Sequence, residues 1–312
     1  MNTQPYDLIG DIHGQYGKLV ALLTRLGYRT HGGTWRHPEG RKVIFLGDYI
    51  DRGPAVRETL HTVRGMVNAG DAQAIMGNHE FNAVCWHTPD RNGGWLRKHT
   101  SERDGGHRTT LAQFAGLDAE WQEWMEWMKH LPMTLDLGKL RAVHASWDEA
   151  AITIIGGRDI RADDFLHLSA TQGTPEFYAV ETLLKGPEID MPPGHFFADK
   201  EGIARRKVRV RWWDIPEAAQ VSRLAMPEPF DVPGDAAPHD LRRIPDYGVD
   251  EPPVFFGHYW LPPSRERAPL APNIACLDYS AAFGDNALTA YRWDGEQVLS
   301  AEKFVTTTST TS

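Results

Sequence analysis

The sequence predicts an α/β fold: a mainly parallel sheet with polar loops gathered at the carboxyl ends of its strands. Three observations carry that reading. A short apolar strand, a polar motif and a helical pattern follow one another twice near the amino terminus. A third strand–motif unit comes next, and later apolar runs again end in histidines.

"YDLIG" (Tyr6 to Gly10) is the first strand and ends in the loop "DIHG". "QYGKLVALLTRLGY" then places Leu19, Leu22, Leu23 and Leu26 at helical spacing and stops at Gly27. "KVIFLG" is the second strand, feeding "DYIDRGP", and "AVRETLHTVRGMVNAG" is the next helix. "AQAIMG" is a strand ahead of "NHE". Residues 87–117, polar and Gly-rich, read as a loop with short helices over the site. "AEWQEWMEWMKHL" collects Trp121, Trp124, Met125, Met128 and Leu131 on one face, an amphipathic core stripe. "LRAVHASW" is a strand with His144 at its end. Residues 150–250, rich in proline and charge, read as a cap-like insertion. "PVFFGHYW", "IACLDYS" and "ALTAYRWDG" return to strand patterns, closed by "QVLSAEKFV". A single domain over residues 1–305 is expected, followed by a disordered Thr/Ser tail at 306–312.

With 41% hydrophobic residues the chain can bury a sizeable core, and a net charge of −9 argues against a surface built as a whole for nucleic acid. Stable nucleic-acid binding is not implied. Cys85 and Cys276 form no framework, which points to a reducing compartment. "MNTQPYDLIGDIHG" lacks a leader pattern, and no apolar run approaches membrane-spanning length. A cytoplasmic protein with no membrane partner is expected.

The strand ends carry Asp11 and His13, Asp48, Asp51 and Arg52, Asn78 and His79, His144, and His258. Asp11 and His13 are two apart, so an extended segment would send both side chains to the same side. A carboxylate with an imidazole is half a shell for a first-row divalent metal. Asn78, His144 and His258 offer a second set of ligands, and Asp48 can bridge two cations that compensate its burial. Asp51 is better placed to orient His79 than to bind metal, and such a dyad supplies a proton to a leaving oxygen. Arg52 offers a planar fork for phosphate. His61, His87, His99 and His107 read as ordinary surface or core histidines.

"GDIHG", "GDYIDRG" and "GNHE", followed by "VHASW" and "FGHY", resemble the phosphoprotein phosphatase branch of the calcineurin-like metallophosphoesterases, over Asp7 to Tyr259. Matched position by position, the resemblance implies Asp11, His13 and Asp48 on one metal, and Asp48, Asn78, His144 and His258 on the other. It implies Asp51 and His79 as the acid dyad and Arg52 as a phosphate clamp. It further implies a β-sandwich flanked by helices, in four layers α/β/β/α. Two divalent metal ions are expected, Mn²⁺ first, with Fe or Zn²⁺ as alternatives. The reaction implied first is hydrolysis of phosphomonoesters, as by a protein serine/threonine phosphatase, through a hydroxide held between the ions. Two places depart from that branch. Ala145 and Ser146 follow His144 where eukaryotic members carry a glycine pair, and "LAPNIACLDYS" only echoes their carboxyl-terminal pattern. The ending is more similar to bacterial relatives, including dinucleoside polyphosphate hydrolases and the phosphatase modules of RNA-repair enzymes.

The expected partner is a phosphorylated substrate: a phosphoprotein, a nucleotide or a polyphosphate. "ARRKVRVRWW" alternates, with Arg205, Lys207, Arg209 and Arg211 on one strand face and Arg206, Val208, Val210 and Trp212 on the other. The family carries a second phosphate-binding arginine in this part of the chain, for which Arg209 or Arg211 is the candidate. Lys185 of "LLKGPE" is an added cation. The same strip reads equally as an edge strand kept soluble by charge. Three functions are open: a phosphomonoesterase, a hydrolase of dinucleoside polyphosphates or of nucleotide and nucleic-acid ends, and a binding protein that kept the fold but lost the chemistry. Against the last, every matched ligand position is present.

Overall fold

The central strands carry apolar residues on both faces, so each needs cover on both sides. The computed structural model describes residues 4–100, 106–158, 160–198, 204–215, 220–226 and 234–307. The chain runs through β1 (Tyr6–Ile9), α1 (Tyr16–Leu26), the hairpin of β2 (Arg29–His31) and β3 (Thr34–Arg36), and β4 (Lys42–Phe45). It continues through α2 (Val56–Asn68), β5 (Ala72–Ala74), α3 (Asn78–His87), α4 (Arg108–Gln113) and α5 (Asp118–Lys129). Then come β6 (Thr134–Asp136), β7 (Arg141–Val143), α6 (Glu149–Ile155), α7 (Asp163–Ala170), α8 (Pro175–Lys185) and β8 (Glu188–Asp190). Two short strands, β9 (Phe197–Ala198) and β10 (Ala204–Arg205), pair together, and β11 (Lys207–Arg209) pairs with β8. The last strands are β12 (Val254–Phe256), β13 (Ile274–Cys276), β14 (Thr289–Trp293) and β15 (Phe304–Thr306).

These strands form two facing mixed sheets. One has the order β15-β14-β1-β4-β5, with β1, β4 and β5 parallel. The other has the order β13-β12-β7-β6, with only β6 antiparallel. Leu8, Ile44 and Tyr291 of the first sheet cluster with Ala142, Phe255 and Ala275 of the second, which is the sandwich interior. Their strand neighbours Ile9, Val43 and Phe45 face outward and join Leu19 and Leu22 of α1 and Leu60 and Val63 of α2. On the far side, Val254 and Phe256 join Leu183 and Leu184 of α8. The layers are thus α/β/β/α.

Strand order alone suggests one mainly parallel sheet; the described residues form instead the two-sheet sandwich that the family resemblance implies, with three two-stranded pairs besides. The reason lies in the inner faces. Both are apolar, so each sheet covers the other and helices are needed only outside.

Local patterns fared well. α1 stops at Gly27, whose φ of 96° suits glycine alone. α5 buries Trp121, Trp124, Met125 and Met128, the expected stripe. Within residues 150–250, α8 buries Ala179, Val180, Leu183 and Leu184, and the Leu183 carbonyl accepts the Ala145 N–H at 2.9 Å. The tail was read as starting too early. Thr306 ends β15 opposite Thr289, and the Thr307 N–H reaches the Leu288 carbonyl at 3.0 Å. A β-branched residue suits this edge pairing; residues 308–312 lie outside the described set. Cys85 and Cys276 are buried and unpaired. No described helix is long and apolar enough to cross a membrane.

Candidate active site

Parallel neighbours within each sheet deliver their carboxyl ends to one edge, and the facing sheets bring the two sets together. Asp48 is where they meet. Its Oδ1 lies 3.3 Å from His144 Nε2, and its Oδ2 lies 3.4 Å from His13 Nε2 and 3.9 Å from His79 Nε2. Two clusters of possible ligand atoms therefore share Asp48: His13–Asp48–His79 and Asp48–His144–His258, each set within 4.8 Å. Asn78 joins the second, its Oδ1 3.0 Å from His144 Nε2.

The backbone is bent to aim these groups. His13, Asp48, Asp51, Arg52 and His258 have φ of 47°, 53°, 71°, 64° and 66°, a region that costs energy for residues with a Cβ. His13 is thus not in an extended segment, and the two-residue alternation with Asp11 does not hold. Tight backbone approach makes room for these bends. A Cβ at Gly53 would lie 2.1 Å from the His13 carbonyl oxygen, and one at Gly257 only 1.9 Å from Asp11 Oδ1.

Asp11 is buried at the same edge, within electrostatic reach of Asp48 and His144. Its carboxylate accepts the His258 N–H at 3.3 and 3.1 Å. Burial, with Asp278 nearby, pushes the Asp11 carboxyl well above the ordinary range.

Two of the imidazoles are anchored to main-chain carbonyls. His13 Nδ1 sits 2.9 Å from the Ile50 carbonyl and His144 Nδ1 2.7 Å from the Leu46 carbonyl. A carbonyl only accepts, so both Nδ1 atoms carry a proton, and Nε2 is the ring nitrogen that each turns to Asp48. His258 is different: neither ring nitrogen has a hydrogen-bond partner, though the ring is buried. Burial, then Arg209 and His144, hold its pKa well below the usual value, so the ring is neutral. An orphaned neutral imidazole beside Asp48, His144 and Asn78 is costly by itself and fits a divalent cation. The nitrogen and oxygen donors, without thiolate, suit Mn²⁺, Fe or Zn²⁺. Burial works against ionisation of Asp48, but His144 and His79 outweigh it and hold the carboxyl well below its usual range.

The dyad is formed. His79 Nδ1 lies 2.5 Å from Asp51 Oδ2, and the His79 ring is only partly covered. Burial would raise the Asp51 pKa; hydrogen bonds from His107 and His79 overcome it and keep Asp51 ionised. Arg52 Nη1 donates to His13 Nε2 at 2.6 Å, and its guanidinium lies 4.3 Å from the Trp260 ring centre.

A calcineurin-like phosphoesterase model matches residues 5–258. The chain belongs to that family. Among curated relatives, a bis(5'-nucleosyl)-tetraphosphatase PrpE [asymmetrical] of Halalkalibacterium halodurans is 43% identical over 74 residues, 24% of this chain and 30% of the relative. One of the same name from Oceanobacillus iheyensis is 30% identical over 167 residues, 51% of this chain and 62% of the relative. The chain thus matches less than two thirds of the length of either. A protein serine/threonine phosphatase of Saccharomyces cerevisiae superposes with a TM-score of 0.52 at 11% identity, covering 97% of this chain and 78% of that one, a likeness of fold.

The basic strip is not one strand. It breaks at the exposed Arg206 between β10 and β11, although Val208, Val210 and Trp212 are buried as expected. Only Arg209 is delivered to a cluster: its Nη1 donates to the His258 carbonyl at 3.1 Å, over the Tyr259 ring. Arg211 instead pairs with Asp214 at 3.2 Å, and Lys185 with Glu181 one turn back on its own helix. A nearby acid within each local segment captures the cation before the site can.

Several residues of the site were not singled out from the sequence. His107, read as ordinary, is buried and its Nδ1 lies 2.9 Å from Asp51 Oδ1; its place in a Gly-rich stretch carried no periodic signal. Trp260 and Asp278 are others: the Asp278 Oδ2 accepts the Trp260 N–H at 2.7 Å beneath Arg52. Glu80 had a readable signal, an acid three residues after the Gly77 cap of α3. Its carboxylate accepts the N–H groups of Gly77, Asp48, Tyr49 and Ile50 at 2.9, 2.8, 2.8 and 3.3 Å. Burial and Asp48 raise its pKa to about 7. Glu80→Ala orphans these buried donors and should cost about 3–5 kcal/mol, given about 1–3 kcal/mol for each unmet group and partial relaxation. A urea unfolding curve with an unchanged midpoint would refute that role.

Proposed function

We propose that this phosphoesterase hydrolyses a phosphoanhydride bond of a dinucleoside polyphosphate, with Mn²⁺ as the working metal. The observation that carries a two-metal site is Asp48, shared by two histidine clusters. Asp11, His13 and Asp48 would hold one cation, and Asp48, Asn78, His144 and His258 the other. Two such cations would neutralise phosphate oxygens and acidify the attacking water. The chain's own residues supply the rest. Ionised Asp51 holds the Nδ1–H of His79, leaving Nε2 to give its proton to the leaving oxygen as the P–O bond breaks. Arg52 lies at the first cluster and Arg209 at the second. Guanidiniums at both ends offer two forks for non-bridging oxygens, which suits a substrate with several phosphates.

The sequence put phosphomonoesters first. The name shared by the two bacterial relatives supports the polyphosphate reading instead. The deciding measurement is kcat/KM of the Mn²⁺-loaded protein on diadenosine tetraphosphate and on a phosphopeptide, with Asp48→Asn as the blank. Preference for the dinucleotide supports the reading, and preference for the phosphopeptide overturns it. Arg209→Glu should lower kcat/KM on the tetraphosphate by about tenfold more than on an aryl phosphate, the scale of one charge-assisted hydrogen bond. Equal losses would reduce Arg209 to a prop for the His258 carbonyl.

A further inference from the structure

We propose that α4 braces the acid dyad, with His107 and Thr110 as positioning residues that fix the Asp51 carboxylate for His79. The proposal rests on the dyad reading above and adds residues that the dyad alone does not need.

His107, Thr110 and Gln113 stand three apart, so they share one side of the short helix. All of them meet the turn from Asp51 to Val56. His107 Nδ1 lies 2.9 Å from Asp51 Oδ1, and Thr110 Oγ1 lies 2.6 Å from the same oxygen. Gln113 Nε2 donates to the Gly53 carbonyl at 3.1 Å, and its Oε1 accepts the Val56 N–H at 2.7 Å. Just before the helix, the Gly106 carbonyl accepts the Arg52 N–H at 3.4 Å.

Hydrogen-bond roles follow from these pairings. The Asp51 N–H donates to Thr110 Oγ1 at 2.9 Å, so the hydroxyl is an acceptor there and its single proton goes to Asp51 Oδ1. His107 must carry its proton on Nδ1 to face a carboxylate. Oδ1 is therefore held by two donors, and Oδ2 is left to His79. A carboxylate free to turn about its last torsion would swing the His79 ring with it. Displacements of about 1 Å at such a group cost on the order of a hundredfold in rate. The turn itself needs this support, since Asp51 and Arg52 both have left-handed φ.

His107 is not a second acid at the clusters. It belongs to neither group of ligand atoms around Asp48, and its ring neighbours are Trp86, His87 and Trp121, centred 5.9, 5.8 and 6.0 Å away. Its reach toward chemistry runs through Asp51.

The test uses a series of phosphate monoesters from p-nitrophenyl to alkyl leaving groups, on Mn²⁺-loaded protein whose metal content is measured. His107→Leu and Thr110→Val should each lower kcat on alkyl esters by about 10–100-fold, the scale of second-layer partners, with a much smaller loss on p-nitrophenyl phosphate and little change in KM. His107→Asn and Thr110→Ser, which keep a donor at the same place, should recover most of the loss. Uniform losses across the series, or a loss that follows metal content, would make α4 a structural element only and overturn the proposal. If His107→Leu fails to fold, Thr110→Val carries the test. His79→Ala is the control: a flat leaving-group profile there removes the dyad reading and this proposal with it. A steep profile for His79→Ala with a flat one for Thr110→Val removes the brace alone.

Discussion

Asp48→Asn should abolish nearly all turnover on every substrate while leaving the chain folded. Among the described residues Asp48 is the carboxylate common to both ligand clusters, with Oδ1 facing His144 and Oδ2 facing His13. An amide there brings no charge to offset two cations, and its NH2 has no lone pair to give a cation. Metal affinity should fall by more than about 100-fold, because partners one layer further out already carry about 10–100-fold. The fold is spared for a local reason. Asp48 is tied into the structure by its main chain, whose N–H reaches Glu80 and whose carbonyl accepts from Ile12 and His13 at 3.1 and 2.8 Å. Metal content after gel filtration and kcat on diadenosine tetraphosphate would check this together. A variant that keeps two ions and a tenth of the activity would contradict the shared-ligand role.

The second large effect belongs to His79→Ala. Turnover of alkyl phosphates should drop by about 10²–10⁴-fold, the usual worth of a positioned general acid. An aryl phosphate, whose leaving group departs without a proton, should lose far less. Metal should be retained, because His79 touches Asp48 Oδ1 through its backbone N–H at 3.0 Å, which alanine keeps. Asp51 is not orphaned either, since His107 and Thr110 still hold Oδ1. The geometry names its own rival outcome. His79 Nε2 lies within the first cluster with His13 and Asp48. A His79→Ala protein that binds one ion fewer would make His79 a ligand and not the acid.

Much of the site was readable because its motifs are local. "DIHG", "DYIDRGP" and "NHE" each sit directly after an apolar strand, so strand end and reactive group are specified by the same few residues. Helix α5 was readable for a similar reason: its indoles and thioethers repeat at the helical period and have one face to bury. The basic strip shows where alternation fails. It sorted Val208, Val210 and Trp212 correctly as buried, yet it could not separate Arg209 from Arg211. That choice depends on the end of β12, far along the chain.

By itself, then, the sequence determined which groups would stand at the strand ends, and that Asp48 and Asp51 lie within one turn of each other. Periodicity and turn chemistry act over a few residues, and those features are no longer than that. Only the tertiary structure decided which strands fill each of the two facing sheets, that the Asp11 carboxylate accepts the His258 N–H, and that His107 and Thr110 close on Asp51. These are contacts between segments distant in sequence. They depend on which apolar faces cover each other and on which buried donor finds which acceptor, and no local pattern records that pairing.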